Sequence, residues 1–336
     1  MKQIYSIESI SFNKKNDHLN TKDYLFSKII EQSFNHKAYS LNFFSNHITI
    51  SFCKTVFNRS FVTLPYINYV DFKFNSEADF NKLLEVFSSL YKNFKLDFIE
   101  LRFLNKITFS HPFIEKTHKV TFILELKDSS LELFNTFSAK VRNQIRKTEK
   151  ENLKCEILTG NDFTKKNLGD FYKVFSTNMR DLGTPVYPKK FFKFILENFK
   201  DNAILGLVEK DKKVIGGSIT IIDGDTAEIL WASTLKKYNK ICPNMLLYFD
   251  TMKYLIQREI KFFDFGRTTP NSGSYNFKKQ WGGKEIQLYW YYYSPKNKIP
   301  NINPENKKFS LAISVWKRLP LWFTNFLGPI LTRHLL

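Results

Sequence analysis

The fold is decided by residues 261–290, which read KFFDFGRTTPNSGSYNFKKQWGGKEIQLYW. The stretch opens with an apolar, aromatic run over Phe262–Phe265, which is typical of a buried strand that ends at Gly266. An aromatic strand through Trp290 closes it. Between the two strands lies a polar segment with Arg267, two adjacent lysines and several aromatic rings. Such a segment suits recognition of phosphate or carboxylate groups in a groove, because sites are commonly built on loops at the ends of buried strands.

Composition indicates a globular protein with an anionic partner. The 336 residues suffice for two domains of ordinary size, and 43% of them are hydrophobic. A net charge of +19 favours nucleic acid, anionic lipid headgroups or a phosphorylated substrate as the partner. An AT-rich genome, which enriches Lys, Asn, Ile and Phe together, is an alternative source of this charge. The three cysteines form no CxxC pair, which argues against a disulfide framework or a zinc site.

Strand and helix patterns alternate in both halves of the chain. Residues 47–52 and 98–103 alternate as strands on either side of a helical pattern over 79–96. Residues 203–235 predict three strands, because Lys-Asp-Lys and Asp-Gly-Asp turns divide them. This order predicts an α/β (α+β) fold in which each half has a mixed sheet flanked by helices.

The same patterns suggest where the domains begin and end. We expect a first domain over residues 1–119 and a second over 120–300, joined near 115–128. Residues 301–336 are expected to be a linker and an apolar, basic tail.

A helix that carries two candidate anion-binding arginines is marked at its start by Ser129 and Glu132, the pattern of a capping box. Apolar residues from 131 to 145 recur at spacings of three and four, which predicts one helix with a single buried stripe. Arg142 and Arg146 stand one turn apart on another face. That face is either solvated or an anion site.

A second helical pattern over residues 161–181 runs into the sequence MRDLGTPVYP at 179–188. The glycine marks the helix end, and a rigid Pro-x-x-Pro loop follows. Arg180 and Tyr187 are candidates for reaching into a cleft. Alternatively, Arg180 and Asp181 cap the end of the helix.

The next helix is expected to begin at Pro243, after the loop KKYNKICPN at residues 236–244. A helix N-terminus favours an anion, so Lys237 and Asn244 are candidate anion-binding residues. The loop has no glycine, and proline has no amide hydrogen. A close backbone cradle for a pyrophosphate is therefore not expected.

Several of these blocks carry a family resemblance. The short blocks DFG at residues 264–266, FK at 277–278 and WG at 281–282 resemble the last motif of the Fem-type peptidoglycan aminoacyltransferases, two-domain relatives of the GNAT acyltransferases. KVRNQIRK at 140–147 is similar to the family's K-x-RN-x-IRK block. MRDLGTPVYP looks like the FemAB-related branch that accompanies exosortase (XrtA/PEP-CTERM) polysaccharide loci.

The resemblance runs from about Leu64 to Leu327, with one departure. LPYINYVD at residues 64–71 is similar to the family block LPF-x-NYGG, but Val70 and Asp71 replace its paired glycines. Whatever turn or contact those glycines supply is therefore not expected here.

By this resemblance, Lys278 corresponds to the motif lysine and would stabilise negative charge on a donor ester or a substrate phosphate. Asp264 would orient the basic residues or accept a proton. Arg142 and Arg267 would assist anion binding. The further candidate contacts to donor or substrate are Arg146, Arg180, Tyr187, Lys237, Asn244, Tyr275 and Trp281.

The resemblance implies a transferase that forms an amide on an amine of a cell-envelope glycan, peptidoglycan or lipid-linked precursor. Its donor would be aminoacyl-tRNA or acyl-CoA, with no permanently bound cofactor and no metal. GNAT acetyltransferases hold the acetyl-CoA pyrophosphate with a glycine-containing loop that is absent here, and Fem-type enzymes use aminoacyl-tRNA instead. The alternatives are a CoA-dependent N-acyltransferase acting on a sugar nucleotide or polysaccharide precursor, a non-enzymatic envelope-assembly adaptor, and a general nucleic-acid binder that rests on charge alone.

The tail at residues 311–336 is apolar with interspersed Trp, Lys and Arg. It either docks on the first domain, which we expect, or lies in a membrane interface. The N-terminus lacks the features of a signal peptide, and no apolar run reaches the ~18 residues of a spanning helix. We therefore expect a cytoplasmic protein, with peripheral contact at the inner face of the membrane through residues 309–336 as an open alternative.

Overall fold

The computed structural model describes residues 5–9, 21–43, 46–299 and 307–335. Its strands form a large mixed sheet flanked by helices, which confirms the expected fold class. Residues 301–306 of the expected linker lie outside the described residues. Within the described ranges, no helix is long and apolar enough to cross a membrane.

The chain divides into two compact units. The first comprises Met1–Lys119, Gln287–Ile302 and Arg333–Leu336, and the second comprises Val120–Ile286 and Asn303–Thr332.

In the first unit, antiparallel pairing joins the first four strands in chain order, and the fourth pairs in parallel with the fifth. Two helices accompany them. The elements are β1 (Tyr5–Ser9), α1 (Thr21–Phe34), β2 (Lys37–Phe43), β3 (Asn46–Lys54), β4 (Arg59–Val62), α2 (Glu77–Asn93) and β5 (Phe98–Phe103).

The chain then continues through β6 (Ile114–Glu125) into the helices and strands of the second unit. Residues 203–235 form three antiparallel strands, as predicted. The elements are α3 (Ser130–Thr136), α4 (Ala139–Lys150), β7 (Lys154–Thr159), α5 (Lys165–Leu182), α6 (Lys189–Phe199), β8 (Ala203–Lys210), β9 (Lys213–Asp223), β10 (Thr226–Thr234), α7 (Pro243–Gln257), β11 (Phe262–Asp264), α8 (Gly273–Lys279), β12 (Lys284–Tyr293), α9 (Lys307–Trp316) and α10 (Leu321–His334).

Within the first unit the strand order is β1-β2-β3-β4-β5-β12, and within the second it is β6-β11-β10-β9-β8-β7. The strand β12 begins in the second unit and ends in the first. From Tyr289 to Tyr293 it pairs antiparallel with β5. Residues 287–300, which we expected in the second domain, therefore belong to the first unit.

Two local expectations need correction. The single helix expected from Ser129 is broken into α3 and α4, because Phe137 has extended backbone (ψ 151°). Ser138 then starts α4 by accepting a hydrogen bond from the Val141 amide at 3.4 Å. Leu131 is 69% exposed, so the buried stripe is not continuous. The polar segment after β11 is also not wholly a loop, since its second half forms α8 with Ser272 as its N-cap.

The tail docks on a different unit from the one expected. Residues 303–332 belong to the second unit. At Gly328, an added Cβ would lie 2.8 Å from Val186 Cγ1, so only glycine permits this approach. The Thr332 hydroxyl donates to the Val186 carbonyl at 3.1 Å. The loop that follows α5 is therefore the surface on which α10 packs.

We had expected Trp281 to line a groove, but it lies in the core of the second unit. Its side chain is 1% exposed. Its ring packs at 5.2 Å from Phe137, at 6.1 Å from Tyr248 and Phe265, and at 6.3 Å from Phe277. The tryptophan therefore joins α3, α7, α8 and the segment after β11.

We predict that Trp281→Ala lowers the free energy of unfolding by ~3–5 kcal/mol, because it removes a fully buried aromatic side chain and leaves a cavity. Urea denaturation followed by circular dichroism measures the change. Trp322→Ala is the control, since that side chain is 71% exposed and its loss should change stability by less than ~0.5 kcal/mol. Equal effects of the two substitutions would contradict the core assignment.

Candidate functional site

The candidate site lies where two parallel strands of the second unit diverge. β10 and β11 pair only over three residues, from Thr226–Phe262 to Glu228–Asp264. Beyond Asp264 the chain stays with β6, because the amides of Phe265 and Thr268 donate to carbonyls of Phe122 and Val120 at 2.9 and 2.8 Å. β10 meanwhile continues to Thr234 beside β9, with a bulge between Ile229 and Trp231. The two strands thus separate and open a gap.

A cavity of about 690 Å³ occupies this gap, and we call it the β10–β11 cavity. One wall is β10 from Ile229 to Thr234, and the facing wall is formed by Phe265 and α8. The first turn of α7 contributes Asn244, so this predicted anion-binding residue lies at the cavity. The cavity is therefore lined by a strand on one side and includes a residue from the first turn of a helix.

Among the predicted residues, Lys278 lines the β10–β11 cavity and is fixed by two hydrogen bonds. It lies near the end of α8, and its Nζ donates to the carbonyls of Gly266 and Arg267 at 2.8 and 3.0 Å. Burial lowers the pKa of Lys278 to about 8, an effect opposed by the carboxylates of Asp264 and Glu228 and reinforced by Arg267. Two carbonyls use two of the three ammonium protons, which leaves one donor for a ligand.

We expected Asp264 either to orient the basic residues or to accept a proton, and its buried position favours the orienting role. It is fully buried. Its Oδ1 accepts hydrogen bonds from the Thr121 hydroxyl and, at 2.7 Å, from the Gly266 amide. These bonds fix the turn after β11, whose carbonyls hold Lys278. Asp264 therefore positions the lysine. Its carboxylate also favours the charged form of Lys278, as does that of its cross-strand neighbour Glu228, which is 2% exposed.

A second cavity, of about 910 Å³, lies beside the first and is strongly basic. It shares Asp181 and Lys236 with the β10–β11 cavity. We call it the basic cavity, because eight Lys and Arg residues but only three acidic residues line it. The basic residues are Lys166, Lys173, Arg180, Lys212, Lys213, Lys236, Lys237 and Lys240.

The loop between the two cavities uses some of its backbone donors within the chain. Residues Lys236–Ile241 form a 3-10 turn in which the amides of Tyr238 and Cys242 donate to carbonyls at 2.9 and 3.1 Å. Pro243 has no amide hydrogen, and the Met245 amide donates to the Cys242 carbonyl at 2.9 Å. The absence of a close backbone cradle for pyrophosphate in this loop stays a prediction. Lysine side chains, among them Lys237, surround it instead.

Two of the predicted arginines have structural contacts. Arg180 lines the basic cavity, where its Nη2 lies 2.8 Å from Asp181 Oδ1. Arg142 Nη1 donates to the carbonyls of Asn135 and Phe137 at 3.2 and 2.7 Å, and so caps the end of α3. Arg146 is exposed, with its guanidinium 5.3 Å from the ring centre of Phe134. Arg142 and Arg146 line neither of the two cavities.

The predicted tyrosines and the tryptophan also pack within the protein. Tyr187 packs against Phe175, Phe191 and Phe192 in tilted or edge-on contacts, and its carbonyl accepts a hydrogen bond from the Tyr172 hydroxyl at 2.9 Å. Tyr275 donates its hydroxyl to Glu285 at 2.7 Å. Trp281 belongs to the core, as described above. Their ring chemistry suggested a groove, but the rings are used for packing.

Sequence reasoning missed several residues of the β10–β11 cavity. Asn178 donates to the Ser233 hydroxyl at 3.0 Å, which places an amide and a hydroxyl on one wall. Tyr248 from α7 and Lys317, which follows α9, also line the cavity. Asn178 precedes the quoted MRDLGTPVYP block, whereas Ser233, Tyr248 and Lys317 had no local signal because their elements meet only in the folded chain.

A model of the acetyltransferase (GNAT) domain matches residues 137–279, which lie within the second unit. The matched range ends just after Lys278 and includes β10, α7 and β11. An acetyltransferase domain implies a donor of the acyl-CoA type. No curated protein matches the sequence.

Solved structures share the fold at low sequence identity. A FemX structure has 13% identity and a TM-score of 0.59, with 85% of this chain and 96% of that chain covered. The C-terminal domain of a putative lysylphosphatidylglycerol synthetase from Agrobacterium fabrum has 12% identity and a TM-score of 0.58, with 82% and 88% covered. L-PGS from Bacillus licheniformis has 11% identity and a TM-score of 0.56, with 88% and 96% covered. The domain match supports an acyltransferase, with the matched GNAT domain at residues 137–279 of the second unit.

Proposed function

We propose that the protein transfers an aminoacyl or acyl group to an amine of a cell-envelope component, with the reacting carbonyl in the β10–β11 cavity. The observation that carries this proposal is the gap between two diverging strands, with the ammonium group of Lys278 fixed at one wall. Such a gap accepts an extended acyl chain, and the cation faces the place where charge develops.

The proposed reaction is a direct transfer, in which the protein mainly positions the donor carbonyl and the acceptor amine. The neutral amine of the acceptor attacks the donor carbonyl, a C–N bond forms, and the C–O bond of an ester (or the C–S bond of a thioester) breaks. The proton lost from the amine leaves with the departing oxygen or sulfur. Holding both substrates in one cavity turns this into an intramolecular step, which supplies a large part of the rate.

Lys278 has the charge and geometry to stabilise the tetrahedral intermediate. Its Nζ is anchored to the Gly266 and Arg267 carbonyls, so it needs no reorganisation when negative charge develops on the carbonyl oxygen. Asp264 and Glu228 oppose the loss of its proton. We assign Lys278 as the catalytic residue and Asp264 as its positioning residue.

We propose aminoacyl-tRNA as the donor. The amides of Tyr238 and Cys242, in and after the 3-10 turn Lys236–Ile241, already donate to carbonyls of the chain, so a pyrophosphate would have to bind without them. The neighbouring basic cavity, with eight cationic side chains, suits the spaced phosphates of a nucleic-acid chain. Lys237 and Asn244 would contact the acceptor end of such a donor.

We further propose a cell-envelope acceptor and place the chain in the FemAB-related branch. The blocks at residues 140–147, 179–188 and 264–282 support this assignment. The shared fold with FemX and with a putative lysylphosphatidylglycerol synthetase is consistent with it, and the name of the latter states an aminoacyl-lipid product. The acceptor amine would belong to a glycan, peptidoglycan or lipid-linked precursor.

A second candidate is a CoA-dependent N-acyltransferase acting on a sugar nucleotide or polysaccharide precursor. The match to an acetyltransferase domain favours it. In this case the lysines around residues 236–240 would replace the missing backbone cradle by binding the pyrophosphate with side chains.

We predict that Lys278→Met lowers turnover by ~10²–10³, the usual cost of losing one electrostatic partner of a transition state. Lys279→Met is the matched control, because Lys279 is the adjacent lysine, is exposed and lies outside the lining of the β10–β11 cavity. It should retain turnover within a few-fold of wild type. Single-turnover transfer of a radiolabelled aminoacyl or acyl group measures both. Equal losses in the two variants would remove the catalytic assignment.

The rate advantage of the wild-type protein over Lys278→Met should shrink as the pH rises from 7 to 9. The pKa of Lys278 is lowered to about 8, so the ammonium is charged below this pH and neutral above it. The ratio of the two rates therefore stays constant below about pH 7 and falls roughly tenfold per unit well above pH 8. The ratio cancels the ionisation of the acceptor amine, which both proteins share. A ratio that rises with pH would indicate that neutral Lys278 acts as a base.

Donor binding separates the two candidates. We expect tRNA to bind with an affinity that falls steeply with salt, and acetyl-CoA to bind more weakly than a low-micromolar dissociation constant, which corresponds to ~8 kcal/mol. Lys212→Ala/Lys213→Ala should weaken tRNA binding, since both lysines line the basic cavity. The control is Lys189→Ala/Lys190→Ala, an exposed pair outside the cavity with the same change in charge. Low-micromolar acetyl-CoA binding without tRNA binding would favour the second candidate.

A further inference from the structure

The helices α9 and α10 present an apolar surface away from the protein. On α10, Trp322, Phe326 and Ile330 are 71%, 70% and 50% exposed, and they recur every four residues. On α9, Leu311 and Val315 are 68% and 53% exposed at the same spacing. Residues four apart share a helix face, so each helix has a continuous apolar stripe. We call these five residues the α9–α10 patch.

The opposite faces of both helices are fixed to the second unit. Thr324, Gly328 and Thr332 of α10 are buried, and Gly328 and Thr332 contact Val186. On α9, an added Cβ at Gly183 would lie 2.4 Å from Ile313 Cγ2, which shows how closely the helix approaches this loop. The patch residues stand two positions away from these contacts, about 200° around each helix. They therefore point outward in a folded, anchored pair of helices.

The charged residues of α9, α10 and the turn between them are all basic. Residues 307–334 contain no Asp or Glu. Lys317 and Arg318, in the turn between the two helices, are both exposed. Exposed tryptophan and phenylalanine flanked by Lys and Arg form the pattern of a helix that lies in the headgroup region of an anionic bilayer. A positively charged rim is also complementary to the negative surface potential of such a membrane.

We infer that the α9–α10 patch binds the surface of an anionic lipid bilayer, with Trp322 and Phe326 inserted at the level of the headgroups. Lys317 connects this surface with the site, because it also lines the β10–β11 cavity. If the proposed function holds, an acceptor anchored in the bilayer would reach the cavity from this side. The lipid-binding inference itself does not depend on that function.

Vesicle flotation with the full chain tests the inference. The probes are phosphatidylcholine vesicles with and without about 30 mol% phosphatidylglycerol, at low and high salt. The wild-type protein should float with the anionic vesicles and less so at high salt. Trp322→Ser/Phe326→Ser should bind at least ~10-fold more weakly, because it removes two inserted aromatic side chains. Val56→Ser/Phe57→Ser is the matched control, since these residues are 72% and 73% exposed in the first unit, outside the patch. It should bind like wild type.

Two further measurements keep the outcome interpretable. Quenching of wild-type tryptophan fluorescence by brominated acyl chains requires no substitution, and it is expected because Trp322 would lie near the chains. Sedimentation velocity without lipid detects self-association. Absence of vesicle binding, equal binding by the two double variants, or a wild-type dimer that Trp322→Ser/Phe326→Ser converts to a monomer would overturn the inference. None of these measurements requires turnover, so their failure would leave the proposed acyl transfer untouched.

Discussion

The site depends on one interaction, the anchoring of the Lys278 ammonium at the turn after β11. The carbonyls of Gly266 and Arg267 accept two of its hydrogen bonds, and the buried carboxylates of Asp264 and Glu228 lie close enough to oppose the loss of its proton. A lysine in so buried a position would otherwise favour its neutral form. The turn exists because Asp264 also accepts from the Gly266 amide, so one carboxylate shapes the backbone and supports the charge that the backbone holds.

The sheet opens beside the anchored lysine, because β10 and β11 separate just after Asp264. β11 pairs with β10 for three residues, after which the chain follows β6 while β10 follows β9. The gap that results is lined by β10 and by Lys278, while Trp281 and its aromatic neighbours pack in the core of the second unit. The basic cavity adjoins the gap through Asp181 and Lys236. A reacting carbonyl and a polyanionic donor thus have adjacent places in one unit.

Much of the fold was predictable because it is encoded locally. Turn residues and alternation give the three strands of 203–235, and Pro243 marks the start of α7. Lys278 was found through a family motif, whereas its anchoring carbonyls have no sequence signature. Tyr187, Tyr275 and Trp281 were placed in the site because aromatic rings suit both grooves and cores, and only packing distinguishes the two. Ser233, Tyr248 and Lys317 went unnoticed because they meet only after β10, α7 and the tail have packed together.

The central claim is that Lys278 faces the carbonyl that is transferred. A crystal structure with a non-hydrolysable aminoacyl-adenosine amide, which imitates the aminoacyl end of tRNA, tests this most directly. The account predicts that the amide carbonyl lies between β10 and the segment after β11, with its oxygen about 3 Å from Lys278 Nζ. An ordered analogue bound outside the β10–β11 cavity, or one whose carbonyl points away from Lys278 while the lysine keeps only its bonds to Gly266 and Arg267, would contradict it.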